Sequence, residues 1–289
     1  MTAVGLATIG LAPAAARAGR RLLAAVELVA GALLVVTVAL FLHTTRRGKF
    51  DVWADVLADA GLDGSERVLD LGCGRGAVLT AVARLLPRGH AVGVDLWTAD
   101  QSGNSPDATR RNLVAEGVRE RCAVTTGTMT ALPFRDGSFD VILALDALEH
   151  FPDDRLAIRE IRRVAKPDAL VLVTVPAFQF LWSPHDVAYH HFRRYTRGEL
   201  GTKLKEGGLS LQKLSYYSMT VLPPVFAMRK LRSATQGKGE AHSDFFLKLP
   251  GPIESVLYGI MRTEIGLMDA VSLPFGVSLF CAAQPNGTA

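Results

Sequence analysis

The sequence predicts an α/β protein: a doubly wound, seven-stranded, mostly parallel sheet with an N-terminal membrane-spanning helix and a helical insertion before the last strand. Three observations carry this. Short apolar runs alternate with helical patterns from Arg67 to Ser215, which means a parallel sheet covered by helices on both faces. A 21-residue apolar run, Leu22 to Leu42, has about the length that a helix needs to cross a bilayer. After Met219 the alternation stops, and it resumes only for a last apolar run near the C-terminus.

Composition narrows the class. With 49% hydrophobic and 21% charged residues in 289, the chain is too apolar for wholesale disorder and long enough for a substantial core. Its three cysteines, Cys73, Cys122 and Cys281, are odd in number and scattered. That excludes a disulfide scaffold and a CxxC zinc site, and it suits a reducing compartment.

In chain order, residues 1–48 form an N-terminal segment with the anchor at about 22–42. Glu27 is its only charge, near enough to the N-terminal end to reach the interface. No small-residue cleavage site follows Phe41, which disfavours a signal peptide, and the unbroken apolar circumference disfavours a soluble helix. Arg17, Arg20 and Arg21 precede the span and Arg46, Arg47 and Lys49 follow it, so charge alone does not orient it. Residues 49–218 form the core. It opens with a short helix at 51–60, and its strands are expected at 67–71, 91–96, 123–126, 139–145, 169–175 and 209–215. The core helices are expected at 77–86, 108–116, 153–164 and 196–206. Residues 219–270 read as a helical insertion or lid with proline-punctuated apolar segments, and residues 271–289 hold the last strand, at 277–282, and a tail.

The positive charge is uneven: between Phe192 and Lys248 eleven Lys/Arg face four Asp/Glu. No aromatic-basic recognition motif accompanies them, so nucleic acid is not expected. An anionic lipid surface fits a tethered protein better, and a solvated basic face fits equally well.

The chemistry concentrates at Val68-Leu-Asp-Leu-Gly-Cys-Gly-Arg-Gly76, where a strand enters a glycine turn and a helix follows. Gly72, Gly74 and Ala77 also satisfy the dinucleotide pattern G-x-G-x-x-G/A, and Asp95, ending the next strand, suits ribose hydroxyls under either reading. The turn alone therefore leaves a nicotinamide-dependent oxidoreductase open.

Four further stretches extend the pattern: Gly93-Val-Asp-Leu-Trp97, Gly127-Thr-Met-Thr-Ala-Leu-Pro-Phe134 with Asp136-Gly-Ser-Phe-Asp140, Leu145-Asp-Ala-Leu-Glu-His150, and Arg163-Val-Ala-Lys-Pro-Asp168. In this order and spacing the chain, from about Gly64 to Gly208, resembles the class I S-adenosylmethionine-dependent methyltransferases. The resemblance implies their fold, S-adenosyl-L-methionine as cofactor, and specific contacts. Asp70 would hold the methionine amino group, Gly72, Cys73, Gly74 and Gly76 would pass beside the cofactor, and Asp95 would bind the ribose. Leu96 would lie against the adenine, with Thr128, Met129 and Leu145 completing the shell. Thr128 stands where the family usually carries an aspartate for the adenine amino group, which removes a charge from that contact. Asp168-Ala169 replaces the usual Gly-Gly after Lys-Pro, a change of turn geometry more than of chemistry.

Two segments resemble subgroups within the family: Asp100-Gln-Ser-Gly-Asn104, and Trp182-Ser-Pro-His-Asp186 with His190-His-Phe-Arg-Arg-Tyr-Thr196. Four of the seven histidines fall between the fourth strand and the helix after the fifth, a region expected to face the donor methyl group. His185, His150 and Asp186 are therefore the catalytic candidates, with a histidine as general base if the acceptor is a hydroxyl or amine. No metal is expected, because His185, Asp186 and His190 lack a helical ligand register. The expected protein is a single-pass, membrane-anchored methyltransferase with a cytoplasmic catalytic domain and a small hydrophobic or lipid-like acceptor. A non-catalytic membrane-bound module that binds S-adenosylmethionine is the reading outside enzymes.

Overall fold

The computed structural model describes residues 57, 61–98, 104–223, 225–226, 229 and 251–287. The expected anchor at 22–42 and most of the helix at 51–60 lie outside them. Among the described residues no helix is long and apolar enough to cross a membrane.

The elements are β1 (Arg67–Leu71), α1 (Ala77–Arg84), β2 (His90–Asp95), α2 (Pro106–Ala115), β3 (Cys122–Thr126), β4 (Phe139–Leu145) and α3 (Asp154–Val164). They continue with β5 (Ala165–Pro176), α4 (Pro184–Ala188), α5 (Arg197–Glu206), β6 (Leu209–Tyr217), α6 (Gly251–Ala270) and β7 (Ser278–Pro285). The seven strands form one sheet in the order β3-β2-β1-β4-β5-β7-β6. The first five pair in parallel, whereas β7 runs antiparallel to both β5 and β6.

Period-two alternation along the strands feeds two cores. Leu69, Leu71, Val92, Val94, Ile142, Ala144, Val171 and Val173 pack with Ala157, Ile158 and Ile161 of α3 and Leu200 and Leu204 of α5. Val68, Ala91, Val141, Leu143 and Leu172 pack with Leu79, Val82 and Ala83 of α1 and Leu113 of α2. Ile142 and Leu143 are fully buried on opposite faces, so truncating either to alanine should cost about 2–5 kcal/mol.

Capping residues set the helix starts. Ser105 accepts from Ala108 N, Asp153 from Leu156 N and Thr196 from Glu199 N, each satisfying an amide that the first turn leaves open. One helix was not expected. Five-residue α4 has no room for apolar periodicity; it forms because Pro184 follows Ser183, and Asp186 closes a capping box with Ser183. Strand β5 also begins earlier than its apolar run: Ala165 pairs with Phe139, and the register then shifts, so that the polar Lys166–Asp168 segment falls between that pair and Leu170, which pairs with Val141.

Helix α6 occupies the connection between β6 and β7. The buried Glu264 carboxylate ties it to the end of β6, accepting from Met219 N (2.7 Å), Thr220 N (3.2 Å) and Thr220 Oγ1 (3.1 Å). The chain leaves β1 for β2 and β3, then returns to β4 on the opposite side of β1. Connections therefore diverge at the carboxyl ends of β1 and β4, the place where sheets of this kind hold ligands.

Candidate active site

Strand β1 ends in a turn pinned from two sides. Gly72 N and Cys73 N both donate to Val94 O of β2, at 2.8 and 3.1 Å. Thr109 Oγ1 of α2 donates to Gly74 O (2.7 Å), and Asn112 Nδ2 donates to Arg75 O (2.8 Å). Gly72, Gly74 and Gly76 have φ of 73°, 51° and 82°, a region that residues with a Cβ avoid. At Gly76 an added Cβ would also come within 2.8 Å of the Thr109 methyl group. Helix α1 begins at once, which brings its first-turn amides to the turn.

Two carboxylates flank this turn. Asp95 accepts from Gly74 N (2.9 Å) on one oxygen and from Trp97 N (2.8 Å) on the other, so it shapes the turn and keeps a lone pair on each oxygen for a ligand. Asp70 is 3% exposed; Leu79 N donates to its carboxylate, and its Oδ2 has no hydrogen-bond partner among the described residues. Burial, and then the Asp95 charge, push its pKa up to about 7. A buried acceptor of this kind calls for a donor, and a ligand amino group would supply one.

A cleft of about 220 Å³ opens at the carboxyl ends of β1, β2, β3 and β4. Among the expected cofactor residues, Gly72, Asp95, Leu96 and Met129 line it. Leu96 is 46% exposed there, an apolar face without cover. Asp70, Gly74 and Gly76 build the turn behind the lining. Cys73 is buried, its thiol held well above the ordinary range by burial first and by Asp70 and Asp95 next. Leu145 lies in the α1-side core, and Thr128 turns toward Thr130, their hydroxyls 2.8 Å apart; neither lines the cleft.

The expected acceptor residues separate. His150 lines the cleft together with Asp146, Ala147, Phe151, His190 and Phe192. His150 is held down at a pKa of about 4, chiefly by burial and then by the His191 ring, so it is neutral at pH 7. His185 is not among the lining residues; its ring lies 4.5 Å from Tyr189 and 6.5 Å from His191. Asp186 is fully buried behind the cleft. Burial opposes its charge, but hydrogen bonds from His191 Nδ1 (3.1 Å) and Arg194 Nε (2.7 Å) hold its carboxyl well below the usual range.

The sequence grouped His190 and His191 with the histidine-rich loop and weighed His190 only as a metal ligand, and it gave Asp146 and Phe192 no role of their own. Asp146 and His190 have φ of 48° and 55°, a rare conformation without glycine that collects at functional sites and that no residue pattern announces. Asp146 is held in it by Thr174, whose backbone O (2.9 Å) and Oγ1 (3.0 Å) both accept from its N–H.

A family model described as "Methyltransferase domain" matches residues 69–173. The ubiquinone biosynthesis O-methyltransferase of Pseudomonas aeruginosa is 32% identical over 173 residues, covering 54% of this chain and 68% of that protein. The norajmaline N-methyltransferase of Rauvolfia serpentina is 30% identical over 108 residues, covering 37% of this chain. The chain spans only 35–38% of the length of that protein and of a further curated relative. Among solved structures, the [4+2]-cyclase SpnF matches with a TM-score of 0.55 and 21% identity over 82% of each chain, a likeness of fold alone.

Proposed function

The chain belongs to the class I S-adenosylmethionine-dependent methyltransferases, and we propose that it moves the methyl group of S-adenosylmethionine onto a small, hydrophobic or lipid-like acceptor. The residues present fit this cofactor. The buried, unsatisfied Asp70 oxygen would hold the amino group, the glycine turn leaves room for close backbone approach, and Asp95 would accept from the ribose hydroxyls. Leu96 and Met129 would cover the adenine. When bound, the cofactor supplies an electrophilic methyl carbon on a sulfonium.

The chain's own residues then position and screen. Phe151, Phe192 and the exposed Leu96 offer apolar cover at the cleft, and a reaction of this type depends largely on alignment. The observation that carries the reading is the glycine turn at the switch point, with Asp70 and Asp95 beside it. Exposed Phe180, Val187, Phe192 and Phe226, in and near the same loops, support an apolar acceptor. The relative named for ubiquinone biosynthesis supports a quinone-type molecule methylated on oxygen. The apolar run at 22–42 supports a single-pass anchor and a cytoplasmic catalytic domain working beside the membrane that holds such acceptors.

The test is transfer of labelled methyl from S-adenosylmethionine into a membrane lipid extract by the full chain. Label should enter an organic-soluble product with the native protein and not with Asp95→Ala. Equal labelling by both proteins would refute the assignment.

A further inference from the structure

We propose that Glu149, His150 and His191 form a site for one divalent transition-metal ion at the acceptor end of the cleft. Their ligand atoms lie within 4.8 Å of one another, two imidazole nitrogens and one carboxylate oxygen. This donor set suits zinc, manganese, iron or cobalt in the divalent state, and three protein ligands leave a coordination position open. Side-chain rotation toward an ion at bond lengths of about 2.1 Å would draw the donors to about 3.4 Å apart.

The backbone brings these residues together although 41 positions separate His150 from His191. Phe192 N donates to Glu149 O at 2.8 Å, which registers the loop after α4 against the short turn Leu148–His150. The positive φ of His190 turns the chain immediately before His191. The rings of His150 and His191 then meet edge to face, 4.8 Å between centroids.

An independent observation lies behind the cluster. A metal-ligating histidine donates its second ring N–H to a carboxylate or a backbone carbonyl, which fixes its tautomer and aims its lone pair. Both histidines have such a partner. His191 Nδ1 lies 3.1 Å from Asp186 Oδ1; that ionised carboxylate can only accept, so Nδ1 carries the proton and Nε2 is left for a ligand. His150 hydrogen-bonds the Tyr189 backbone through its own ring. Asp186 is itself fixed by Arg194 and by Ser183 N (2.8 Å), as an orienting carboxylate has to be. Asp186 is thus a positioning residue acting through His191. These are not the ligands that the sequence suggested as nearest to a metal set: His185 is outside the cluster, and His191 had no assigned role.

The consequence for the reaction rests on the methyltransferase reading. With His150 lining the cleft, the open coordination position would face an acceptor hydroxyl and lower its pKa, which is what a metal does for a bound oxygen nucleophile. The acceptor oxygen keeps the O–H electron pair as its proton passes to water, and it forms the new C–O bond. The C–S electron pair returns to sulfur, leaving the neutral thioether. The acceptor class that follows is an enol or a phenol, with adjacent oxygens able to chelate.

The experiment is a Co²⁺ titration of the full chain in detergent, produced without a histidine tag and stripped of metal, followed by visible absorption and calorimetry. One ion per chain is expected. His150→Gln, His191→Gln and Glu149→Gln should each weaken binding at least about tenfold, and Asp186→Asn about tenfold through His191. S-adenosylhomocysteine affinity, measured on the same samples, reports folding and the cofactor site separately; should Glu149→Gln fail to bind it, the two histidine variants decide. Native protein that binds S-adenosylhomocysteine but takes up Co²⁺ no better than the His150→Gln/His191→Gln double variant overturns the site and leaves the methyltransferase reading standing. Stoichiometric Co²⁺ binding lost in the variants supports the site even if no oxygen acceptor is ever methylated, in which case only its role in the reaction falls.

Discussion

Replacing Asp70 by asparagine should stabilise the protein at neutral pH and weaken cofactor binding, two opposite effects of one carboxylate. In the folded protein its pKa rises from 3.8 to about 7, first because it is buried and then because Asp95 is close, with the Leu79 amide opposing. Below about pH 4 the group is protonated in both folded and unfolded chains and contributes nothing. As pH rises through 4 the unfolded chain releases its proton while the folded one retains it, so stability falls until about pH 7, where both are ionised. A shift of about three units, at roughly 1.4 kcal/mol each, bounds the loss at about 4 kcal/mol. Asparagine carries no such cost, and its amide oxygen can still accept from Leu79 N. Thermal unfolding from pH 4 to 8.5 should therefore show equal Tm values at the acid end and a variant higher by several degrees at pH 8. Calorimetry with S-adenosylhomocysteine should show at least a tenfold loss, about 1.4 kcal/mol, because an amide offers no charge to an amino group. Parallel Tm curves for the two proteins across this range would refute the assignment of a buried, costly carboxylate.

Gly74→Val and Asp95→Ala should each weaken S-adenosylhomocysteine binding at least about tenfold by calorimetry, because the first cannot keep its φ of 51° and the second removes the acceptor that orders Gly74 N. Asp154→Asn should cost about 3 kcal/mol at pH 7 in urea unfolding, since the carboxylate accepts from Lys203 (2.6 Å), Tyr195 (2.9 Å) and Arg193 (3.0 Å). Burial opposes the Asp154 charge but those partners win and hold its pKa down, so the difference should shrink as pH falls below 4; an unchanged gap at pH 3 would deny the ion pairs their role. Full-length protein should stay with membranes through carbonate extraction and a chain starting near Gly48 should not, whereas recovery of the full chain in the soluble fraction would remove the anchor.

What could be read from sequence is what local physics decides. The strands announced themselves because apolar runs of Val, Leu and Ala between turn residues have few other uses, and each of the seven formed where its run predicted to within four residues at either end. The glycine turn was legible because φ near +80° leaves little choice of residue, as Gly76 shows against Thr109. Helix α4 was not legible, because what holds it is a capping box and not periodicity.

The acceptor end of the cleft was legible in kind but not in arrangement, and Asp186 shows why. A carboxylate beside a histidine in sequence invites a catalytic reading of the pair His185–Asp186. Its conformation is decided instead by partners that adjacency does not reveal: Arg194, eight residues on, and His191, five residues on, which the loop folds back onto it. Once those bonds form, Asp186 is removed from solvent and the orientation of the His191 ring is fixed, while its neighbour His185 lies apart from the lining. The charge that sequence reading assigned to chemistry thus fixes the direction of a ring, and the ring it aims points back toward Glu149 and His150. The arrangement of this loop is set by a fold-back within it and by its return to residues 149 and 150, and for such contacts the spacing of residue types along the chain holds little information.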